Sequence, residues 1–92
     1  PAYFFLMMEA MIEAAQEQGL SALQARQLVL QTARGASELA LTSEDHPDEL
    51  RRKVTSPGGT TAAGLEALEE GGYRELMSRA VEAARRRAEE LS

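Results

Sequence analysis

The sequence predicts an all-α domain of about five helices joined by short polar turns, on three observations. Apolar residues recur at three- and four-residue spacing through most of the chain. No stretch shows the sustained alternation of a half-buried strand. Turn chemistry is confined to a few places: Gly19, the polar joint leading to Pro47, the run Pro57, Gly58, Gly59, and the pair Gly71, Gly72. No internal repeat is present.

The first helix is predicted from about Ala2 to Gln18. It is apolar on nearly every side over Tyr3, Phe4, Phe5, Leu6, Met7 and Met8, then striped through Met11, Ile12 and Ala15. All-round apolarity calls for cover on all sides. A chain of 92 residues has too little other mass to supply it, so a second copy is the expected cover. Gly19 suits a left-handed helix end, and Ser21 with Gln24 three residues on forms a capping box that opens the second helix. That helix runs to about Leu41, with Leu28, Val29, Ala33, Ala36, Leu39 and Ala40 at helical spacing. Gly35 weakens it by about 1 kcal/mol relative to alanine, a cost that close approach of a neighbour offsets.

After a polar joint from Thr42 to Asp45, Pro47 suits the first turn of a short third helix. Asp48 and Glu49 then fall at its positive end and Arg51, Arg52 and Lys53 at its negative end, as the helix dipole prefers. The chain must turn at Pro57. A fourth helix follows from about Thr60 to Glu70, with Leu65 and Leu68 inward and Gly64 as a contact point, and Gly71 and Gly72 end it. The last helix, Tyr73 to about Leu91, carries Tyr73, Leu76, Met77, Ala80, Val81, Ala84, Ala88 and Leu91 at helical spacing.

Composition narrows the function. The net charge of -5 argues against a nucleic-acid surface, which needs a basic patch. With no cysteine there is no disulfide, thiolate metal site or cysteine nucleophile, and the cytoplasm is the expected compartment. The apolar opening is too short to span a bilayer, is interrupted by Glu9, and lacks the basic leader and cleavage site of a signal peptide. Opening on Pro1 with no starting methionine, the chain is expected to be a piece of a longer protein.

The chemistry concentrates in the run Val54, Thr55, Ser56, Pro57, Gly58, Gly59, Thr60, Thr61. A turn that feeds two hydroxyl residues into a helix leaves the amides of Gly58, Gly59, Thr60 and Thr61 as candidate donors to an anion. The same spacing also describes a bare interhelical turn with capping threonines. A nucleotide P-loop fits less well, because Thr60 stands where its lysine should follow the last glycine. Other features read as structural. His46, the only histidine, stands before Pro47 as a cap or surface residue, and Glu44 with Asp45 lacks further ligands at metal-binding spacing. Arg85, Arg86 and Arg87 interleave with Glu82, Glu89 and Glu90 as a solvated helix face. The four methionines and the early aromatics fit a core or dimer seam.

The opening Pro1, Ala2, Tyr3, the group His46, Pro47 and Leu50, the run Val54 to Thr61, and Gly64, Leu65, Leu68 and Glu69 together resemble the C-terminal domain of pyrroline-5-carboxylate reductase. The resemblance covers the whole chain, and the Thr55 to Thr61 stretch carries most of its specificity. It implies a helical domain that forms an intertwined homodimer, with higher assembly left open. A Rossmann domain would precede it and bind NADPH or NADH. The implied activity is reduction of 1-pyrroline-5-carboxylate to L-proline, the last step of proline biosynthesis. It also implies that Thr61 is the catalytic side chain, contacting the substrate nitrogen, and that Val54, Ser56, Gly58, Gly59, Thr60 and Thr61 line the substrate site, with Ser56 beside the carboxylate. The chain lacks the Gly-x-Gly-x-x-Gly fingerprint, so this part alone is expected to bind no dinucleotide and to be inactive. The rival reading is a self-contained helical interaction module without catalysis.

Overall fold

The computed structural model describes all 92 residues. Five helices follow in order, α1 (Ala2–Glu17), α2 (Ala22–Thr42), α3 (Pro47–Lys53), α4 (Thr60–Glu70) and α5 (Tyr73–Leu91), and there is no strand. The all-α class and the number of helices match the expectation. The chain forms two compact units, Pro1–Pro47 and Asp48–Ser92.

In the first unit α1 and α2 pack on each other. Their joint is built from backbone hydrogen bonds that the helix ends would otherwise leave open. The Gly19 amide donates to the Gln16 carbonyl at 3.0 Å and the Leu20 amide to the Ala15 carbonyl at 3.1 Å, the pairing of a Schellman motif. Gly19 takes φ +108° to allow it. The chain re-enters helix through the Ser21 capping box. The Gln24 amide donates to the Ser21 hydroxyl and the Ser21 amide to the Gln24 side chain, both at 3.1 Å.

A two-helix hairpin has almost no interior, and Ala25 is the one buried residue. The apolar first turns of α1 are therefore open within a single chain, with Phe4 63% and Leu6 65% exposed. Gly35 likewise has no neighbour within 4 Å of where a side chain would begin, so its close partner is not supplied by this chain. Thr42 closes α2 instead of opening the joint, its hydroxyl donating back to the Glu38 carbonyl at 2.9 Å. The joint proper spans 43–46, where the Asp45 amide donates to the Ser43 hydroxyl at 3.0 Å.

In the second unit α4 packs on α5. Gly72 serves both helices. With φ +78° it ends α4, donating its amide to the Glu69 carbonyl at 3.1 Å, and it stands at the N-cap of α5. Leu65 is half-buried, but Leu68 is 49% exposed and Gly64 meets no neighbour, so the inward face expected for α4 is only partly covered within one chain.

On α5 the apolar residues fall within an arc of about 160° at 100° per residue. That face is open as well, with Leu76 56% and Val81 59% exposed. Its opposite side carries the expected ion pairs, Arg86 with Glu82 at 2.7 Å and Arg85 with Glu89, while a further pair, Arg87 with Glu90 at 2.9 Å, starts from within the apolar arc. Exposed pairs of this kind contribute only about 0.2 to 1 kcal/mol each. They keep the outer face wet without holding the fold together.

Candidate functional site

The site begins where α3 stops. Asp48 and Glu49 occupy the first turn of α3 and Arg51, Arg52 and Lys53 its last, so the helix is oriented by charge despite its seven residues. Its C-terminal carbonyls are taken up by the residues that follow. The Val54 amide donates to Arg51 at 3.3 Å and the Thr55 amide to Arg52 at 3.1 Å, while the Thr55 hydroxyl donates to the Arg51 carbonyl.

The chain then reverses through Ser56, Pro57, Gly58 and Gly59. The Gly59 amide donates to the Ser56 carbonyl at 3.0 Å, and Gly58 takes φ +72°. Proline at the second position with left-handed glycine at the third defines a type II turn. At Gly59, with φ -85°, space favours glycine where backbone conformation does not. A side chain there would begin 3.2 Å from the Ser56 carbonyl oxygen and 3.4 Å from the Ser56 Cβ, tighter than ordinary contact.

This geometry alters the expected set of anion donors. Gly59 spends its amide on the turn, so it shapes the site without offering a donor of its own. The first intrahelical bond of α4 comes from Ala63, whose amide donates to the Gly59 carbonyl at 3.2 Å. The amides of Thr60, Thr61 and Ala62 consequently have no acceptor within the chain. Ala62 joins the cradle although its residue type carries no signal, because the donor is backbone.

The capping-threonine reading does not hold. The N-cap of α4 is Gly59, and no side chain caps the helix. A serine or aspartate at that position would fold its oxygen onto the Thr61 or Ala62 amide. Glycine leaves both amides free, at the positive end of an eleven-residue helix.

Around this cradle Ser56 and Thr61 are exposed. Val54 is exposed too, at 67%, while Thr55 between them is half-buried. Thr61 also leads the apolar face of α4, since Gly64, Leu65 and Leu68 follow it at the third, fourth and seventh positions. A ligand held by the amides would therefore meet a hydroxyl on one side and an apolar surface beyond it.

His46 is exposed in the joint before α3. No three His, Cys, Asp or Glu side chains come together in a way that could hold a metal ion. No helix is long and apolar enough to cross a membrane.

Comparison with known proteins places this arrangement in a family. Residues 1–91 match the family model described as pyrroline-5-carboxylate reductase dimerisation. The chain is 50% identical over 92 residues to a pyrroline-5-carboxylate reductase of Pseudomonas aeruginosa, covering 100% of this chain and 34% of that protein. It is 47% identical over 91 residues to one from Synechocystis, covering 99% of this chain and again 34% of the relative.

Among solved structures, a pyrroline-5-carboxylate reductase from Coxiella burnetii superposes with a TM-score of 0.97 at 50% identity, over 100% of this chain and 34% of that one. The Plasmodium falciparum pyrroline carboxylate reductase, solved with NADP bound, matches with a TM-score of 0.88 at 40% identity, over 91% of this chain and 32% of that one. The chain thus spans about a third of the length of these relatives. On sequence and fold together, this chain belongs to the pyrroline-5-carboxylate reductase dimerisation family.

Proposed function

We propose that this chain is the C-terminal, dimer-forming and substrate-binding part of an enzyme that reduces 1-pyrroline-5-carboxylate to L-proline with NADPH or NADH. The observation that carries the reading is the glycine N-cap of α4, which leaves the Thr60, Thr61 and Ala62 amides open beside the exposed Ser56 and Thr61 hydroxyls. The substrate is a small ring with one carboxylate and one C=N bond. Its carboxylate would accept hydrogen bonds from the open amides, with the helix dipole favouring the negative charge. Ser56 stands beside that position.

Thr61 would meet the ring nitrogen. When the imine is protonated, its N–H donates to the Thr61 hydroxyl oxygen. The bond fixes the ring plane and leaves the adjacent carbon open to hydride. Adding hydride to that carbon turns the iminium into a secondary amine. No further acid is needed, since the nitrogen already carries its proton.

In this reading the dinucleotide is held by a further domain of the longer protein, one with the strand-turn-helix that such cofactors use. The chain's own contribution is to bind the carboxylate, orient the ring and bring two subunits together. The open faces of α1 and α5 support a homodimer in which each copy covers the other's apolar surface. A compartment holding reduced dinucleotide, in the first instance the cytoplasm, goes with this reading. The test is consumption of NADPH or NADH by the longer protein on addition of 1-pyrroline-5-carboxylate. Stoichiometric formation of proline supports the reading, and no consumption with either dinucleotide overturns it.

A further inference from the structure

Thr55 is the one residue of the Val54 to Thr61 run to which neither the sequence pattern nor the proposed chemistry gives a task. Its neighbours Val54 and Ser56 are exposed, yet Thr55 is half-buried and bonded twice to the helix behind it. Its amide donates to the Arg52 carbonyl at 3.1 Å and its hydroxyl to the Arg51 carbonyl. Serine and threonine hydroxyls commonly bond to a carbonyl four residues back, which here is the Arg51 carbonyl that also accepts the Val54 amide at the end of α3. The next residue is Ser56, whose carbonyl accepts the bond that closes the turn and whose exposed side chain the proposed function sets beside the substrate carboxylate. Thr55 therefore joins two rigid pieces, the end of α3 and the type II turn, and sets the direction in which Ser56 leaves the helix.

We propose that Thr55 is a positioning residue for the carboxylate site, acting through Ser56 and the Ser56–Gly59 turn without touching the substrate. The inference rests on the reading of this chain as the substrate-binding part of a reductase. A hydroxyl that merely capped α3 would affect stability alone. One that aims the cradle changes how the imino acid is held, while leaving the dinucleotide untouched.

The experiment uses the longer protein with 1-pyrroline-5-carboxylate and NADPH as the varied substrates. Thr55→Val keeps the branched shape and removes the donor, and Thr55→Ser keeps the donor and removes the methyl group. The expected result for Thr55→Val is a KM for the imino acid raised about two- to tenfold, the range set by one neutral hydrogen bond. The KM for NADPH and kcat should stay at wild-type values, and Thr55→Ser should restore the imino-acid KM. Because KM does not depend on how much of the protein is folded, partial loss of folded enzyme does not disturb the comparison.

An unchanged imino-acid KM in Thr55→Val overturns the proposal, as does a parallel rise in both KM values. A Thr55→Val protein that fails to fold at all also overturns it, since Thr55 would then be a determinant of folding. A wild-type protein inactive toward the imine overturns both this inference and the reading beneath it. An active wild type with an insensitive Thr55 overturns this inference alone.

Discussion

The amide of Gly59 donates to the carbonyl of Ser56 at 3.0 Å, and this single bond both closes the turn before α4 and decides which amides remain for a ligand. With Gly59 committed to Ser56, the helix starts without a side-chain cap, and the open donors are those of Thr60, Thr61 and Ala62. The cradle thus reaches one residue further into the helix, to Ala62, and loses only Gly59 from the expected donors, the Gly58 amide having no acceptor in the chain either.

Gly58→Ala tests the turn directly. Gly58 takes φ +72°, where an L side chain costs about 1 to 2 kcal/mol. The substitution should lower stability by about that amount in urea unfolding. It should also raise the imino-acid KM of the longer protein more than the dinucleotide KM. A fully stable Gly58→Ala protein with unaltered kinetics would show that the turn tolerates another conformation.

Ser21→Ala separates folding from function. The Ser21 and Gln24 capping box lies in the first unit, remote in sequence from the cradle, and its loss should cost about 0.5 to 2 kcal/mol in denaturant unfolding. Imino-acid kinetics should be unchanged under conditions where the protein remains folded. A rise in KM would mean that the two units are coupled through the start of α2.

Much of this architecture is legible in the sequence because its signals are local. Pro47, the Ser21 and Gln24 pair, and Gly71 with Gly72 mark helix ends through backbone and capping chemistry that needs no tertiary partner. The bounds of α4 at Thr60 and Glu70 follow from those signals directly.

What the sequence hides is of two kinds. The commitment of the Gly59 amide to Ser56 and the opening of the Ala62 amide are backbone facts that residue types do not encode. Burial is the other. For α1 the all-round apolarity of Phe4 and Leu6 already points to a second copy as the cover, but for Val81 on α5 the periodicity states which face seeks cover without saying which molecule supplies it.

Val81→Asp tests the assembly. Val81 lies on the open apolar face of α5, and an unpaired carboxylate buried there costs several kcal/mol, enough to raise the dimer dissociation constant by about 100-fold or more. Sedimentation equilibrium should show a wild-type dimer and a Val81→Asp protein shifted toward monomer. Glu82→Gln, on the ion-paired outer side, should remain dimeric. An unchanged mass for Val81→Asp would remove α5 from the interface.

The central claim is that the start of α4 holds the imino acid, with Thr61 at its nitrogen. The most direct measurement is kcat/KM for 1-pyrroline-5-carboxylate in the longer protein carrying Thr61→Val. This variant keeps the side-chain shape and removes the hydroxyl. The account predicts a fall of about 10- to 100-fold, the range for a hydrogen bond to a charged group. Dimer mass, melting temperature and dinucleotide KM should match wild type. A Thr61→Val enzyme with wild-type kcat/KM would contradict it.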